Sequence, residues 1–144
     1  MEASILKKGT KIYTLKNYSK DFRLTTKIND IWIIYESYDY TSIIDKVIKI
    51  EVYSCEKFEL LKEITDKNTI YKYTEMFAET YKGYPMNNLN SVKYNNDKKC
   101  RISFVLEDGS NITDIFYYEN GCFFGHDKMP QEFIDEIIKL INKN

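Results

Sequence analysis

One histidine, three cysteines and an Asp-Gly-Ser turn are the residues of this chain whose types and spacing could do chemistry. His126 sits in Gly125-His126-Asp127, just ahead of a helical pattern, where a loop imidazole could act as a general base. With an ordinary pKa of about 6.5 it needs a nucleophile or a carboxylate pair beside it, and the surrounding sequence offers neither. It reads instead as a residue at a helix start, with Asp127 as a cap. Cys122, His126 and Cys100 would have to converge to hold a metal. Residues four apart on a strand are separated by about 13 Å and strands two apart by about 10 Å, too far for one tetrahedral site. The same spacing keeps Cys100 and Cys122 beyond the reach of about 7 Å between Cα atoms that a disulfide allows. The thiols read as small buried hydrophobes. Asp108-Gly109-Ser110 is explained by its flanking strands as a turn. With only 5 glycines there is no phosphate-cradling loop, and no Gly-x-Ser-x-Gly, Cys-x-x-Cys or His-Glu-x-x-His occurs. The expectation is a protein with no catalytic residues, no cofactor and no metal.

Tyrosine is the unusual residue, with 13 in the chain. Tyr35, Tyr38 and Tyr40 cluster with Glu36 and Asp39 at the end of a hairpin that carries Trp32, while Tyr81 and Tyr84 flank Gly83 ahead of Pro85. Tyrosine and tryptophan supply large contact area with few rotamers to freeze, so they mark binding surfaces. Trp32, Tyr35, Tyr38, Asp39, Tyr40, Tyr81 and Tyr84, together with Arg101 on a sheet face, form the expected contact set. A coding sequence rich in A and T inflates tyrosine as well, which is the compositional explanation. Stacking of nucleobases on these rings is a second functional reading.

The elements that must position these residues follow from periodicity. Lys98 to Gly125 reads as a three-stranded antiparallel meander with two-residue turns at Asp108-Gly109 and Asn120-Gly121. That register sets Leu106 opposite Asn111, Ile102 opposite Ile115 and Phe124 beside Tyr117. It makes Cys100, Ile102, Phe104, Leu106, Ile115, Tyr117 and Phe124 one inner face. Arg101, Val105, Ile112 and Asp114 fall on the outer face. Lys11 to Lys16 is a short strand. Phe22 to Ile28 and Ile31 to Tyr35 form a hairpin about Asn29-Asp30 that pairs Arg23 with Glu36 and Lys27 with Trp32 as exposed partners. Lys46 to Ser54 is a strand with Ile48, Ile50 and Val52 inward. Phe58 to Ile64 is its return strand, with a helical start at Lys57 as the competing reading. Asp66 caps a helix of about 67–82 in which Ile70, Tyr73, Phe77 and Tyr81 follow at spacings of three and four, stopped by Gly83 and Pro85. A second helix of about 130–142 carries the apolar stripe Phe133, Ile134, Ile137, Ile138 and Ile141, and has the inner face of the meander to cover.

These elements make an α+β protein, mainly antiparallel sheet with two helices, and its 144 residues suit a single globular domain. The hydrophobic fraction of 43% and charged fraction of 30% are those of a packed globular chain. A formal net charge of −1 without basic or acidic runs argues against direct nucleic-acid binding and equally against a DNA-mimicking acidic surface. No signal-peptide core or membrane-length apolar run is present, and an odd number of cysteines fits reduced thiols in a cytoplasm. The abundance of Lys, Asn, Ile and Tyr points to a low-GC bacterium or one of its phages. The functional expectation is a non-catalytic binding protein: an intracellular inhibitor or antagonist of a partner protein, of the immunity or phage anti-defence kind. A small-ligand or nucleotide-sequestering protein with a tyrosine-lined pocket is the alternative. A structural subunit that self-associates as a homodimer through the free edge of Gly121 to Gly125 is the third reading.

Overall fold

The computed structural model describes residues 6–37, 39–81 and 93–142. The chain divides into two compact units, Met1–Tyr38 and Asp39–Asn144. The first is a three-stranded antiparallel sheet of β1 (Ile12–Thr14), β2 (Arg23–Ile28) and β3 (Ile31–Glu36), in that order. Asn29 and Asp30 both take left-handed φ, 50° and 65°, as the two central residues of a tight hairpin must. The register pairs Arg23 with Glu36 and Lys27 with Trp32, as the alternation implies. Arg23, expected as a solvated partner, is instead only 1% exposed. Its guanidinium meets the Glu36 carboxylate at 2.9 Å and lies 4.6 Å from the Tyr18 ring centre, so stacking and pairing together desolvate it.

The second unit builds a five-stranded antiparallel sheet from β4 (Val47–Ser54), β5 (Leu60–Ile64), β6 (Lys99–Leu106), β7 (Asn111–Tyr117) and β8 (Cys122–Phe123), in the order β5-β4-β6-β7-β8. Helices α1 (Lys67–Thr80) and α2 (Gln131–Ile141) complete an α+β fold. Asp66 starts α1 by accepting the Thr69 amide at 2.9 Å, and the hydrogen bonds from Thr69 hold its carboxyl below the usual range. Both helices cover one face of the sheet. Phe77 of α1 lies 4.3 Å from Phe104 and 5.2 Å from Phe123, while Phe133 of α2 lies 5.4 Å from Phe116 and 6.2 Å from Phe123. An ion pair between Lys72 and Glu132 links the two helices outside this aromatic core.

The meander differs from the expected register by one residue. Val105, not Leu106, stands opposite Asn111. The amide of Gly109 donates to the Leu106 carbonyl at 2.9 Å, the amide of Leu106 to the Ser110 carbonyl at 2.8 Å, and Gly109 has φ 82°. The connection is therefore the three residues Glu107-Asp108-Gly109, closed by a glycine bulge. Because side chains alternate, this one residue turns all of β7 over. Ile112, Asp114 and Phe116 face the helices, and Thr113, Ile115 and Tyr117 face outward, the reverse of the expected assignment. The second turn is also longer, with the Gly121 amide donating to the Tyr117 carbonyl at 2.7 Å. Phe123 then pairs with Phe116 and enters the core, whereas Phe124 is exposed. In β4 the pairs Val47 with Leu106 and Lys49 with Val105 leave Ile48 as a bulge. Val47 replaces it as the inward residue, and Ile48 points out. Lys57 starts no helix. Cys122 also bridges to Lys128, so the edge expected to be free for self-pairing is engaged at that residue.

Candidate functional site

The expected contact residues fall into three places. The first is one face of the amino-terminal sheet. In the register, Tyr13 neighbours Thr25 and Trp32 neighbours Lys27, with Ile34 opposite Thr25. Tyr13, Trp32 and Ile34 thus project from one face, and they are 43%, 57% and 47% exposed. The Tyr13 and Trp32 rings meet edge to face at 5.5 Å. Such a pair presents a shaped apolar surface rather than scattered single side chains. Lys27, paired with Asp30 at 2.8 Å, borders it with balanced charge. Ile12 and Ile31 are exposed on the opposite face, so this unit shows apolar surface on both sides. Tyr35 lies half-buried on that opposite face, across from Leu24. Tyr38 lies outside the described residues, as does Tyr84.

The second place is interior. Asp39 accepts from the Thr41 amide at 3.2 Å and the Thr41 hydroxyl at 2.6 Å, capping a 3-10 turn over Tyr40–Ile43. That turn delivers Tyr40 into the core, 5.1 Å from Phe77 and 5.2 Å from Tyr81. Tyr81 is buried too, and its hydroxyl donates to the Asp114 carboxylate. This bond exists because the shifted register turns Asp114 toward the helices. His126 stacks on the Tyr81 ring with centres 3.5 Å apart. Burial pushes the imidazole pKa below its ordinary value against the opposing pull of Asp114 and Asp127. Tyr40, Tyr81 and His126 are therefore parts of one packed cluster, and Tyr40 and Tyr81 present no exposed ring for contact. The neighbouring cavity, bounded by Glu75, Glu79, Asp127, Lys128 and Met129, has no tyrosine among the described residues of its wall.

The third place is the outer face of the five-stranded sheet. Lys49 meets Glu51 at 2.7 Å and Glu63 at 2.9 Å, and the Tyr53 hydroxyl donates to Glu51 at 2.7 Å. Hydrogen bonds to Glu51 and then Glu63 raise the Lys49 pKa. Burial pushes Glu51 up, but the bonds from Lys49 and Tyr53 outweigh it and leave the carboxyl below its usual range. Beside this network Arg101 lies over the ring of Phe58, 4.8 Å from its centre. An open cavity of about 430 Å³ is bounded there by Tyr53, Phe58, Arg101, Ser103, Asn111 and Thr113. Phe58 is 62% exposed and holds φ 57°, a left-handed conformation that is uncommon for an aromatic residue and costs on the order of 1 kcal/mol. Sequence reasoning found Arg101 and missed Phe58, whose alternation with Leu60 suggested a strand residue. Its left-handed φ comes from a turn closed by the Ser54 amide donating to the Glu59 carbonyl at 2.9 Å, for which Phe is not the usual residue.

Cys100 faces the helices and Cys122 the outer side, and burial pushes both thiols up. Among the described residues no group of three His, Cys, Asp or Glu side chains is arranged to hold a metal ion. No helix among them is long and apolar enough to cross a membrane. No family model, no curated protein and no solved structure matches this chain.

Proposed function

We propose that this is a non-catalytic binding protein that acts on a partner protein as its inhibitor or antagonist, of the immunity or phage anti-defence kind. The observation that carries the reading is the Tyr13, Trp32 and Ile34 surface, exposed on one sheet face with its two rings already in contact. A tryptophan presented from a strand is the type of residue that dominates binding energy in protein interfaces. The inward placement of Tyr40 and Tyr81 moves the contact surface away from the tyrosine loop and onto this face. The cytoplasm remains the proposed compartment, supported by three free thiols, two of them buried.

The test compares affinity capture from a low-GC bacterial host by the protein and by a variant carrying Tyr13→Ser, Trp32→Ser and Ile34→Ser. A protein recovered by the first and lost with the second is expected. Trp32→Ala alone should weaken that complex by about 2 kcal/mol, roughly 30-fold. Identical recovery with both chains would contradict the placement.

A further inference from the structure

We propose that the cavity on the outer sheet face is a binding site for a small organic carboxylate, with Arg101 as its anchor and Phe58 as its wall. This site is independent of the Trp32 surface and does not rest on the partner-protein reading. Three observations carry it. The first is that, among the described residues, the Arg101 side chain makes no ion pair or hydrogen bond, and its Nε is sealed from water without an acceptor. Glu51, on the same face, is occupied by Lys49 at 2.7 Å and by the Tyr53 hydroxyl at 2.7 Å, and it makes no ion pair with the guanidinium. A poorly hydrated cation whose terminal nitrogens are unused is suited to a planar, two-oxygen anion.

The second observation is the disposition of the remaining donors. Thr113 donates its hydroxyl proton to Ser103 at 2.9 Å, which leaves the Ser103 proton for an acceptor in the cavity, and the Asn111 amide stands at the same wall. The third is Phe58. A turn position at φ 57° is one that glycine fills without strain, yet the chain places there a phenyl ring lying 4.8 Å from the guanidinium carbon. The ring excludes water from one side of Arg101 and offers an apolar surface to the ligand body. A volume of about 430 Å³ suits a small molecule, and we commit to a free acid rather than the side chain of a protein.

The experiment follows the amide spectrum of the full chain during titration with benzoate, with benzamide as the uncharged match. Saturable shifts gathered at Arg101, Ser103, Asn111 and Thr113 are expected, with benzamide at least about tenfold weaker. Arg101→Gln should abolish the binding, and Arg101→Lys should weaken it about fivefold by removing the fork. Phe58→Gly should weaken binding while thermal stability stays level or rises, because glycine accepts the left-handed backbone. A purely structural Phe58 would give the reverse pattern, a lower melting temperature with unchanged affinity, and that would overturn its role. Equal binding of benzamide, binding that survives Arg101→Gln, shifts located elsewhere, or no saturable shift would overturn the site. Inorganic phosphate competing as well as benzoate would overturn the planar-carboxylate assignment. A glutamate-containing peptide that displaces benzoate more effectively than glutarate would overturn the commitment to a free acid.

Discussion

His126, the residue most suited by type to catalysis, is used as a ring. It stacks on Tyr81, whose hydroxyl is engaged by Asp114, and its pKa lies below the ordinary 6.5 because it is partly buried. The linkage follows from that direction. Well above pH 6.5 the imidazole is neutral whether the chain is folded or not, so it contributes no pH dependence there. As pH falls from 6.5 toward the lower folded value, the unfolded chain binds the proton first and stability declines. His126→Phe keeps the stack without the titration. Melting temperature against pH should therefore drop more steeply below pH 6.5 for the natural chain than for the variant. Parallel curves would show that His126 does not titrate with folding. In the sequence its neighbours gave no hint of Tyr81, which is 45 positions away and meets it only through the packing of α1 on the sheet.

At the scale of elements, apolar periodicity was legible and turn length was not. The spacing of Ile70, Tyr73 and Phe77 places α1, and that of Phe133, Ile134 and Ile137 places α2, because a buried helix face repeats every three or four residues. Asp-Gly is compatible with both a two-residue turn and a turn closed by a glycine bulge, and these differ by one residue of register. That ambiguity decides whether Asp114 faces solvent or Tyr81, and whether Phe123 or Phe124 is core. The bulge at Ile48 was invisible for the same reason, since an extra residue interrupts alternation without altering composition. Two glycines now separate backbone conformation from packing. Gly109 and Gly121 both have positive φ, 82° and 71°, but a Cβ at Gly109 meets open space whereas one at Gly121 comes 2.6 Å from Ile134 Cδ1. Gly109→Ala should cost about 1 kcal/mol and Gly121→Ala about 2–4 kcal/mol in urea unfolding. Equal costs would mean that α2 yields freely at Ile134.

At the scale of the whole molecule, the second unit has a core of its own. Ile50, Val52, Ile102, Phe104, Phe116, Phe123, Phe77 and Phe133 are all buried within Asp39–Asn144. The segment 39–144 expressed alone should fold cooperatively, retaining the amide shifts of α1, α2 and β4 to β8. A segment without dispersed shifts would show that the amino-terminal sheet is required for folding. The α+β class was legible in the sequence because the order of hairpins and helices fixes which apolar faces exist. The division into two units was not, since no glycine- or proline-rich linker separates Glu36 from Tyr40.

Trp32 is the only tryptophan in the chain, so 5-fluorotryptophan introduces a single fluorine resonance at the centre of the proposed contact surface. The most direct test records that resonance while the captured partner is added. A shifted, broadened signal that loses its response to solvent deuteration is the predicted result. A complex that forms while the resonance stays unchanged would contradict the account, placing the contact away from Trp32.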